Sequence, residues 1–252
     1  MTERAKAAAL PIALIGGAEA YLRGPGAHIE SLAPPSRTAA ALVESLGDGS
    51  LLHATAQTLA AAAGGLAIGA GCGIALGFVI GLSRLAIAVT TPAVELLRPV
   101  PSVALIPLAM LIYGFGYRME IAIVAFATFW PCLVLSQAAV AQIEPRLLEV
   151  AHVIGLSPGQ RLLKIVLPAA MPRVGVALRL AAGFALVVAV TVEIAANPQG
   201  LGYALMVAQQ TLRPEAMIAA LLWVGFVGWL VNAGLVRAQR ALFERPAREK
   251  VR

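Results

Sequence analysis

The sequence predicts an all-α, polytopic membrane protein with six transmembrane helices, and three observations lead to that prediction. Hydrophobic residues make up 60% of the 252 residues and charged residues only 13%, about half the charged fraction of a typical soluble domain. Mean hydropathy is +0.84. Several apolar stretches carry no charge over the roughly 20 residues that a helix needs to cross a bilayer. We expect one transmembrane domain over residues 1–252.

Taken along the chain, the spans are predicted at about residues 7–22, 58–82, 99–116, 121–143, 174–195 and 216–236. The second, fourth and sixth contain no charged residue. The first is marked less clearly, because Pro11 interrupts it and Glu19 lies near its end. A basic start and a short apolar run are also typical of a signal peptide, but the later spans favour an uncleaved first helix.

The third and fifth spans contain interruptions. Pro101 and Pro107 predict that the third helix is kinked or starts late. Arg98 precedes a further proline, which favours extended backbone and predicts a break between a surface helix and the spanning part. Arg179 near its start and Glu193 near its end interrupt the fifth span.

Six spans place both termini on the same side of the membrane. Fifteen of the 19 Lys and Arg residues fall on that side, which the positive-inside rule makes the cytoplasm. The formal net charge of +6 then reflects topology rather than nucleic-acid binding, and the basic tail at 237–252 is predicted to be a topology anchor. On the outer face, Ser36 ahead of an Ala/Leu-rich run predicts an N-capped helix.

The cytoplasmic loop at 144–173 is predicted to contain two short helices. Pro145 suits the first turn of a helix over 146–154, and Gly155 suits a left-handed helix end. Apolar residues at helical spacing form one face of this helix: Leu147, Val150, Ala151 and Ile154.

The second helix of the loop is predicted from a capping box. Ser157 is the expected N-cap, Pro158 fills the first helical position, and Gln160 closes the box. This helix is predicted to end before Pro168. From these residues alone, the loop could be a docking surface or an interfacial hairpin that only joins two spans.

The loop resembles the EAA loop of ABC importer membrane subunits. The matching residues are Glu149-Val150-Ala151, Gly155 and Ile165-Val166-Leu167-Pro168, with Val150 in place of the first alanine. Other stretches are similar to the nitrate, sulfonate and taurine branch of that family: Arg98-Pro99-Val100-Pro101 with Pro107 and Gly114-Phe115-Gly116, and Glu193 followed by Ala195-Ala196-Asn197-Pro198-Gln199-Gly200-Leu201-Gly202-Tyr203. The resemblance covers about 54–242, and more loosely the first helix.

This resemblance implies a type I ABC importer permease in a bacterial plasma (inner) membrane, with both termini cytoplasmic. The first loop helix would be a coupling helix that docks onto a separate ABC ATPase dimer. The residues implied in coupling are Arg146, Glu149, Ala151, Gly155, Leu156, Ile165, Leu167 and Pro168. Further implied partners are a second copy of the permease, a periplasmic or extracellular substrate-binding protein and the lipid bilayer. The implied substrate is a small anion of the sulfonate, nitrate or taurine type, with a vitamin or pyrimidine-type solute as the alternative.

The sequence contains no Gly-x4-Gly-Lys-Ser/Thr phosphate-binding loop. ATP and Mg are therefore expected on the partner ATPase, and this chain is expected to be a transport subunit without cofactor or enzymatic activity. The histidines have no ligand partner at metal spacing, so no metal site is expected. Glycines within 64–73 predict close helix packing.

Arg98, Glu193 and Asn197 are candidates for the translocation pathway. A carboxylate in a span is costly unless it faces water or a partner, so Glu193 could line the pathway, brace the neighbouring loop, lie at the interface or pair with a cation. Arg98 could line the pathway or pair with Glu95, three residues earlier on a helix. Asn197 opens a turn-rich break that could be a gate or an ordinary outer connection.

Two other functions compete with an ATP-driven importer. An ion-gradient-driven secondary carrier is the first, but such carriers place several ionisable groups in their spans, and only Glu193 qualifies well here. A non-transporting scaffold subunit is the second.

Overall fold

The computed structural model describes residues 2–29 and 31–243, and every regular element within them is helical. The α-helices in these residues are α1 Thr2–Arg23, α2 Pro35–Gly47, α3 Ser50–Gly81, α4 Arg84–Leu97, α5 Ile106–Tyr113, α6 Tyr117–Ala141, α7 Pro145–Val153, α8 Pro158–Arg161, α9 Leu167–Ala195, α10 Gly200–Gln210 and α11 Pro214–Phe243. A 3₁₀ turn, Ser102–Leu105, precedes α5, and a π-helical turn, Leu162–Val166, joins α8 to α9. Most of the predicted basic anchor falls on 244–252, outside the described residues.

Across the described part of the chain, four helical stretches are long and apolar enough to cross a membrane: Ser50–Gly81, Tyr117–Ala141, Pro158–Ala195 and Pro214–Ala241. A further pair, Arg84–Leu97 with Ser102–Tyr113, passes the same test together and is bent by 76°. This bend confirms the predicted break after Arg98. Helix α1 continues through Pro11 but is not among these stretches, so the six-span topology stays a prediction.

Helices α3 and α6 run parallel and form the most extensive helix contact in the described residues. Every fourth residue on the contact face of α3 is glycine: Gly65, Gly69, Gly73, Gly77 and Gly81. A Cβ atom added at Gly73 would lie 2.5 Å from Phe129 O, and one added at Gly77 would lie 2.6 Å from Leu133 O. The missing side chains let the two backbones approach closely, which confirms the packing predicted for the first three of these glycines. Gly71 lies on another face, where a Cβ would meet nothing within 4 Å.

Helix α9 runs antiparallel to α3 and α6 and completes the core. At one end, Val192 of α9 shares an apolar cluster with Met119 and Ile123 of α6. At the other end, Val174 shares a cluster with Val140 of α6. We call the first the α10 end and the second the α7 end, after the short helix that lies at each.

A carboxylate from α1 stabilises the start of α2. Glu19 accepts the Ser36 N–H through Oε2 at 2.9 Å and the Ser36 hydroxyl through Oε1 at 2.7 Å. The N-cap residue is Pro34 and no side chain within α2 caps the helix, so the predicted N-cap role of Ser36 is wrong. The helix starts two residues earlier than an N-cap at Ser36 predicts, with Pro34 as its N-cap, and Glu19 supplies the negative charge that a helix N-terminus favours.

Candidate functional site

The loop helix α7 ends in a glycine turn, as the sequence predicts. Gly155 has φ +72°, in the left-handed region that favours glycine. The Leu156 N–H donates to Ala151 O at 3.0 Å, which is the longer hydrogen bond of a Schellman motif. The end of α7 is therefore fixed by backbone geometry.

The predicted capping box begins the next helix. Gln160 N–H donates to Ser157 Oγ at 3.3 Å, and Ser157 N–H donates to Gln160 Oε1 at 3.0 Å. Arg161 Nε also donates to Leu156 O at 3.1 Å. These bonds tie the turn after α7 to the start of α8.

The second loop helix does not end before Pro168. α8, the π-helical turn and α9 form one helical stretch, Pro158–Ala195. The Leu167 N–H bonds to Leu162 O, five residues back, directly before the proline that has no N–H to offer. The wider turn avoids the lost bond and the ring clash that Pro168 would bring to a regular α-helix. The fifth spanning helix thus begins in the loop, well before the predicted residue 174.

Helix α7 leaves an apolar face uncovered within the described residues. Ala151 is fully buried, but Val153 is 85% exposed and Ile154 63% exposed. Leu147 and Val150 are also exposed, as are the charged residues predicted for coupling on the same helix, Arg146 and Glu149. Of the predicted apolar stripe, only Ala151 faces the protein.

The other predicted coupling residues lie around the turn and the start of the long helix. Gly155 is exposed and Leu156 is half-buried. Ile165 is half-buried within the π-helical turn, and Leu167 and Pro168 are exposed just after it. All eight predicted coupling residues therefore lie along one stretch of the chain, which runs from α7 into α9.

Arg98 lies at the break between α4 and α5 and is exposed. The predicted Glu95–Arg98 ion pair is absent from the ion pairs of the described residues. Arg98 lines a groove of about 710 Å³. It also lines a smaller cavity of about 240 Å³, together with Ser102 and Trp130. A guanidinium group beside an open cavity can attract an anion.

Glu193 and Asn197 are buried at the α10 end, together with Glu120 of α6. Their exposed fractions are 1%, 1% and 0%. Asn197 Nδ2 donates to Glu120 Oε2 at 2.7 Å, and Gly202 N–H donates to Glu193 Oε2 at 2.8 Å. These contacts are those of a braced loop, one of the interpretations predicted for Glu193.

Glu120 escapes prediction because the fourth span is predicted to begin at residue 121, which leaves this carboxylate in a loop. Helix α6 instead begins at Tyr117. Gly114 and Gly116 both have positive φ and end the preceding segment, so they are the signal for an earlier helix start. A helix that begins at Tyr117 carries Glu120 in its first turn.

The connection between α9 and α10 is fastened to α3. Leu201 N–H donates to Thr58 Oγ1 at 2.9 Å, and Gly200 N–H donates to Gln57 Oε1 at 3.0 Å. Gly200 has φ +85°, and a Cβ atom added there would collide with the Glu193 carboxyl group. The turn-rich break after α9 is thus an ordered connection that requires glycine for both conformation and space.

Residues 69–248 match the family described as the binding-protein-dependent transport system inner membrane component. The chain belongs to this family. It is therefore an ABC transporter permease, a multi-pass membrane transport subunit rather than a catalytic enzyme. The matched region contains both α7 and the buried carboxyl groups. Within the described residues, no group of three or more His, Cys, Asp and Glu side chains is placed to hold a metal ion.

The chain is similar to permeases whose names state a substrate. It is 30% identical over 183 residues to a putative aliphatic sulfonates transport permease protein of Bacillus subtilis, covering 73% of this chain and 66% of that protein. It is 30% identical to the taurine transport system permease protein of Escherichia coli, covering 68% and 62%. It is 30% identical to the bicarbonate transport system permease protein of Synechococcus elongatus, covering 77% and 70%.

A solved structure shows the same fold. A chain of the MetNI methionine ABC transporter in an inward-facing conformation superposes with a TM-score of 0.61 at 20% identity, covering 76% of this chain and 93% of that chain. At this identity the likeness concerns the fold alone, which is that of a type I ABC importer permease.

Proposed function

We propose that the chain forms the translocation pathway of an ATP-driven importer of a small anion, and that a separate ATPase dimer drives it through α7. The uncovered apolar face of α7 is the observation that carries this proposal. An exposed apolar patch rimmed by charged residues is typical of a protein interaction site. Arg146 and Glu149 supply that rim.

The path from α7 to the bundle supports a coupling role. The turn at Gly155 and Leu156 is fixed by backbone hydrogen bonds, and Arg161 ties it to α8. Beyond it, one helical stretch runs to Ala195, so a displacement of α7 reaches the α10 end along a single element. We propose that Ile165, Leu167 and Pro168 anchor this stretch at the loop.

Docking can be tested with two glycines of the same loop. Gly155→Ala places a side chain in the left-handed region, at a cost of about 1–2 kcal/mol, and is expected to weaken copurification of the ATPase with the full-length permease about tenfold. Gly159→Ala is the matched control, because its Cβ meets nothing within 4 Å and its φ is not positive. Gly155→Asn should retain most binding, since asparagine tolerates this region. Equal binding by both alanine variants would remove the docking assignment.

The proposed substrate class rests on the relatives and on Arg98. The names of three relatives give aliphatic sulfonates, taurine and bicarbonate, which all carry a compact anionic group. Arg98 forms no ion pair among the described residues and adjoins a cavity large enough for such a group. We assign Arg98 to the pathway, and Glu193 and Asn197 to the loop that shapes its α10 end.

The remaining parts of the assembly belong to the same proposal. Two copies of the permease would pair around the pathway in a bacterial inner membrane, with both termini and α7 in the cytoplasm. ATP and Mg would bind on the ATPase. A periplasmic or extracellular binding protein would deliver substrate at the α10 end.

Uptake by sealed vesicles tests the transport function. With the permease, its ATPase and its binding protein reconstituted together, labelled sulfonate is expected to accumulate only with ATP. Arg98→Gln should lower uptake about tenfold, and Arg84→Gln, outside both cavities, should leave it unchanged. Uptake without ATP would favour an ion-gradient-driven carrier. Uptake of a vitamin or pyrimidine in place of sulfonate would reject the anion class.

A further inference from the structure

The turn between α10 and α11 has a leucine at a position where helices commonly end in glycine. The Arg213 N–H donates to Ala208 O at 2.9 Å, and the Leu212 N–H donates to Gln209 O at 3.1 Å. These two bonds make a complete Schellman motif, in which the residue after the C-cap is left-handed. Leu212 fills that position with φ 52°, and no other non-glycine residue in the described part of the chain has a positive φ.

Glycine fills the same position at the other end of the bundle. Gly155 follows α7 with φ +72°, and the Leu156 N–H donates to Ala151 O. A leucine in the left-handed region is strained, because its Cβ lies too close to the following carbonyl oxygen. Glycine at position 212 would therefore suit the turn after α10 better than the leucine that the chain contains.

The side chain of Leu212 contributes little to the packing of the fold. It is 86% exposed, which is the largest exposed fraction among the large apolar side chains of the described residues. Burial within the chain therefore does not offset the strain of the backbone. Strained residues of this kind concentrate at functional sites, including the sites where a ligand is held.

Leu212 lines an open pocket of about 1040 Å³ between the α1–α2 connection and the start of α11, which we call the Leu212 pocket. Leu32, also in its lining, is 50% exposed. Two charged lining residues, Arg23 and Glu215, have ion-pair partners, whereas Arg37 takes part in no ion pair of the described residues. The pocket thus combines exposed apolar side chains with an unpaired positive charge, as protein interaction sites do.

The family and the predicted topology together indicate what covers this pocket. The family description names transport that depends on a binding protein. The predicted topology places the Leu212 pocket on the outer face, at the opposite end of the bundle from α7. A soluble partner that approaches from outside reaches it without entering the bilayer. A partner surface with an acidic side chain beside an apolar patch would complement Arg37 and Leu212.

We propose that the Leu212 pocket is a docking surface for the substrate-binding protein, with Leu212 as its apolar anchor and Arg37 facing an acidic side chain of that partner. The left-handed turn holds the leucine side chain clear of the bundle, where the partner can cover it. This inference rests on the proposed function, which supplies both the partner and the outward orientation of the pocket.

Leu212→Gly separates docking from stability, because the two effects have opposite signs. Glycine relieves the left-handed strain, so the unfolding midpoint of the full-length permease should stay level or rise by about 2 °C. The same variant lacks the anchor, so capture of the purified binding protein by the permease–ATPase complex in lipid discs should weaken about tenfold. Leu212→Met keeps an apolar side chain and should retain most of the capture.

The control for the anchor is Leu222→Ala on α11. Leu222 is 58% exposed and lies outside the pocket lining, so its truncation should leave capture unchanged. Equal capture by the wild type and Leu212→Gly would overturn the proposal. Dissociation of the permease into single copies by Leu212→Gly would also overturn it, because the surface would then belong to the contact between two permeases.

Arg37→Gln tests the charge of the pocket. Capture at low salt should weaken severalfold, and its dependence on salt should become shallower, because attraction between exposed charges is screened. Arg84→Gln, an exposed position at the α7 end, is the matched control and should alter neither. A salt dependence that Arg37→Gln leaves unchanged would contradict the acidic contact.

Uptake by reconstituted vesicles distinguishes this inference from the proposed function. Leu212→Gly should raise the binding-protein concentration for half-maximal uptake about tenfold and leave the maximal rate unchanged, because a saturating partner overcomes weak docking. A lower maximal rate with unchanged half-saturation would overturn the docking role of Leu212. Absence of ATP-driven uptake by the wild type would instead reject the proposed function, while capture still measures docking by itself.

Discussion

Two glycines with positive φ serve different purposes at the residue scale. Gly155 has open space around its Cα, so only its backbone conformation excludes other residues. Gly200 combines positive φ with contact to the Glu193 carboxyl group, so both conformation and space exclude a side chain. This difference predicts which substitutions can be tolerated at each position.

Gly200→Ala is expected to destabilise the chain by about 2–4 kcal/mol, because left-handed strain and overpacking against Glu193 add together. Gly200→Asn should not restore stability, in contrast to the asparagine variant at Gly155. Gly183→Ala on α9 is the control, since its Cβ meets nothing within 4 Å. Unfolding of the purified chain measures all three. A Gly200→Ala variant as stable as Gly183→Ala would contradict the crowding between Gly200 and the Glu193 carboxyl group.

At the scale of the elements, the sequence predicts well the features that depend on adjacent residues. The Gly155 turn and the Ser157–Gln160 capping box depend on a few adjacent residues, and both are confirmed. The prediction that a helix ends before Pro168 is wrong, because a π-helical turn directly upstream accommodates the proline. A proline in the sequence does not by itself predict such a turn. The α3 glycines predict a close-packing face, but nothing in their spacing identifies α6 as the partner or makes the pair parallel. Glu120 is missed because the predicted start of the fourth span, residue 121, lies four residues after the observed start of α6 at Tyr117.

The glycine face of α3 gives a prediction for this helix pair. Gly69→Ala places a Cβ against Ala125 O and Thr128 Oγ1 of α6 and is expected to destabilise the chain by about 1–3 kcal/mol. Gly71→Ala, two residues along the same helix, has open space and should be neutral or slightly stabilising, because alanine favours helix over glycine. Unfolding midpoints of the two variants measure the difference, and equal midpoints would argue against the close contact.

On the scale of the whole molecule, the two sites lie at opposite ends of one bundle. The α7 loop lies at the end of the bundle where α3 and α6 finish. The buried residues Glu120 and Glu193 lie at the other end, where α6 begins and α9 ends. The order of the apolar stretches along the sequence predicts that the α7 loop and the start of α10 lie at opposite ends of the bundle. It does not decide whether α1 crosses the bilayer, because α1 is less apolar than the long helices α3, α6, α9 and α11.

Labelling of single cysteines tests the topology. In a chain with Cys72 and Cys132 replaced by alanine, a membrane-impermeant thiol reagent added to intact cells should label Ser31→Cys and not Ser157→Cys. Both positions are exposed, and the predicted topology places them on opposite sides of the membrane. A cysteine placed ahead of Thr2 should behave like Ser157→Cys if α1 crosses the membrane. Labelling of that cysteine together with Ser31→Cys would reduce the spans to five.

The stretch Pro158–Ala195 is longer than a membrane crossing requires. Its 38 residues make a helix about 57 Å long, whereas the hydrocarbon core of a bilayer is about 30 Å thick. Even at a tilt of about 40° the helix rises roughly 44 Å along the membrane normal. The helix is therefore roughly 14 Å longer than the hydrocarbon core requires. That excess is enough to keep α7 out of the apolar layer, on the face where the proposed ATPase would dock.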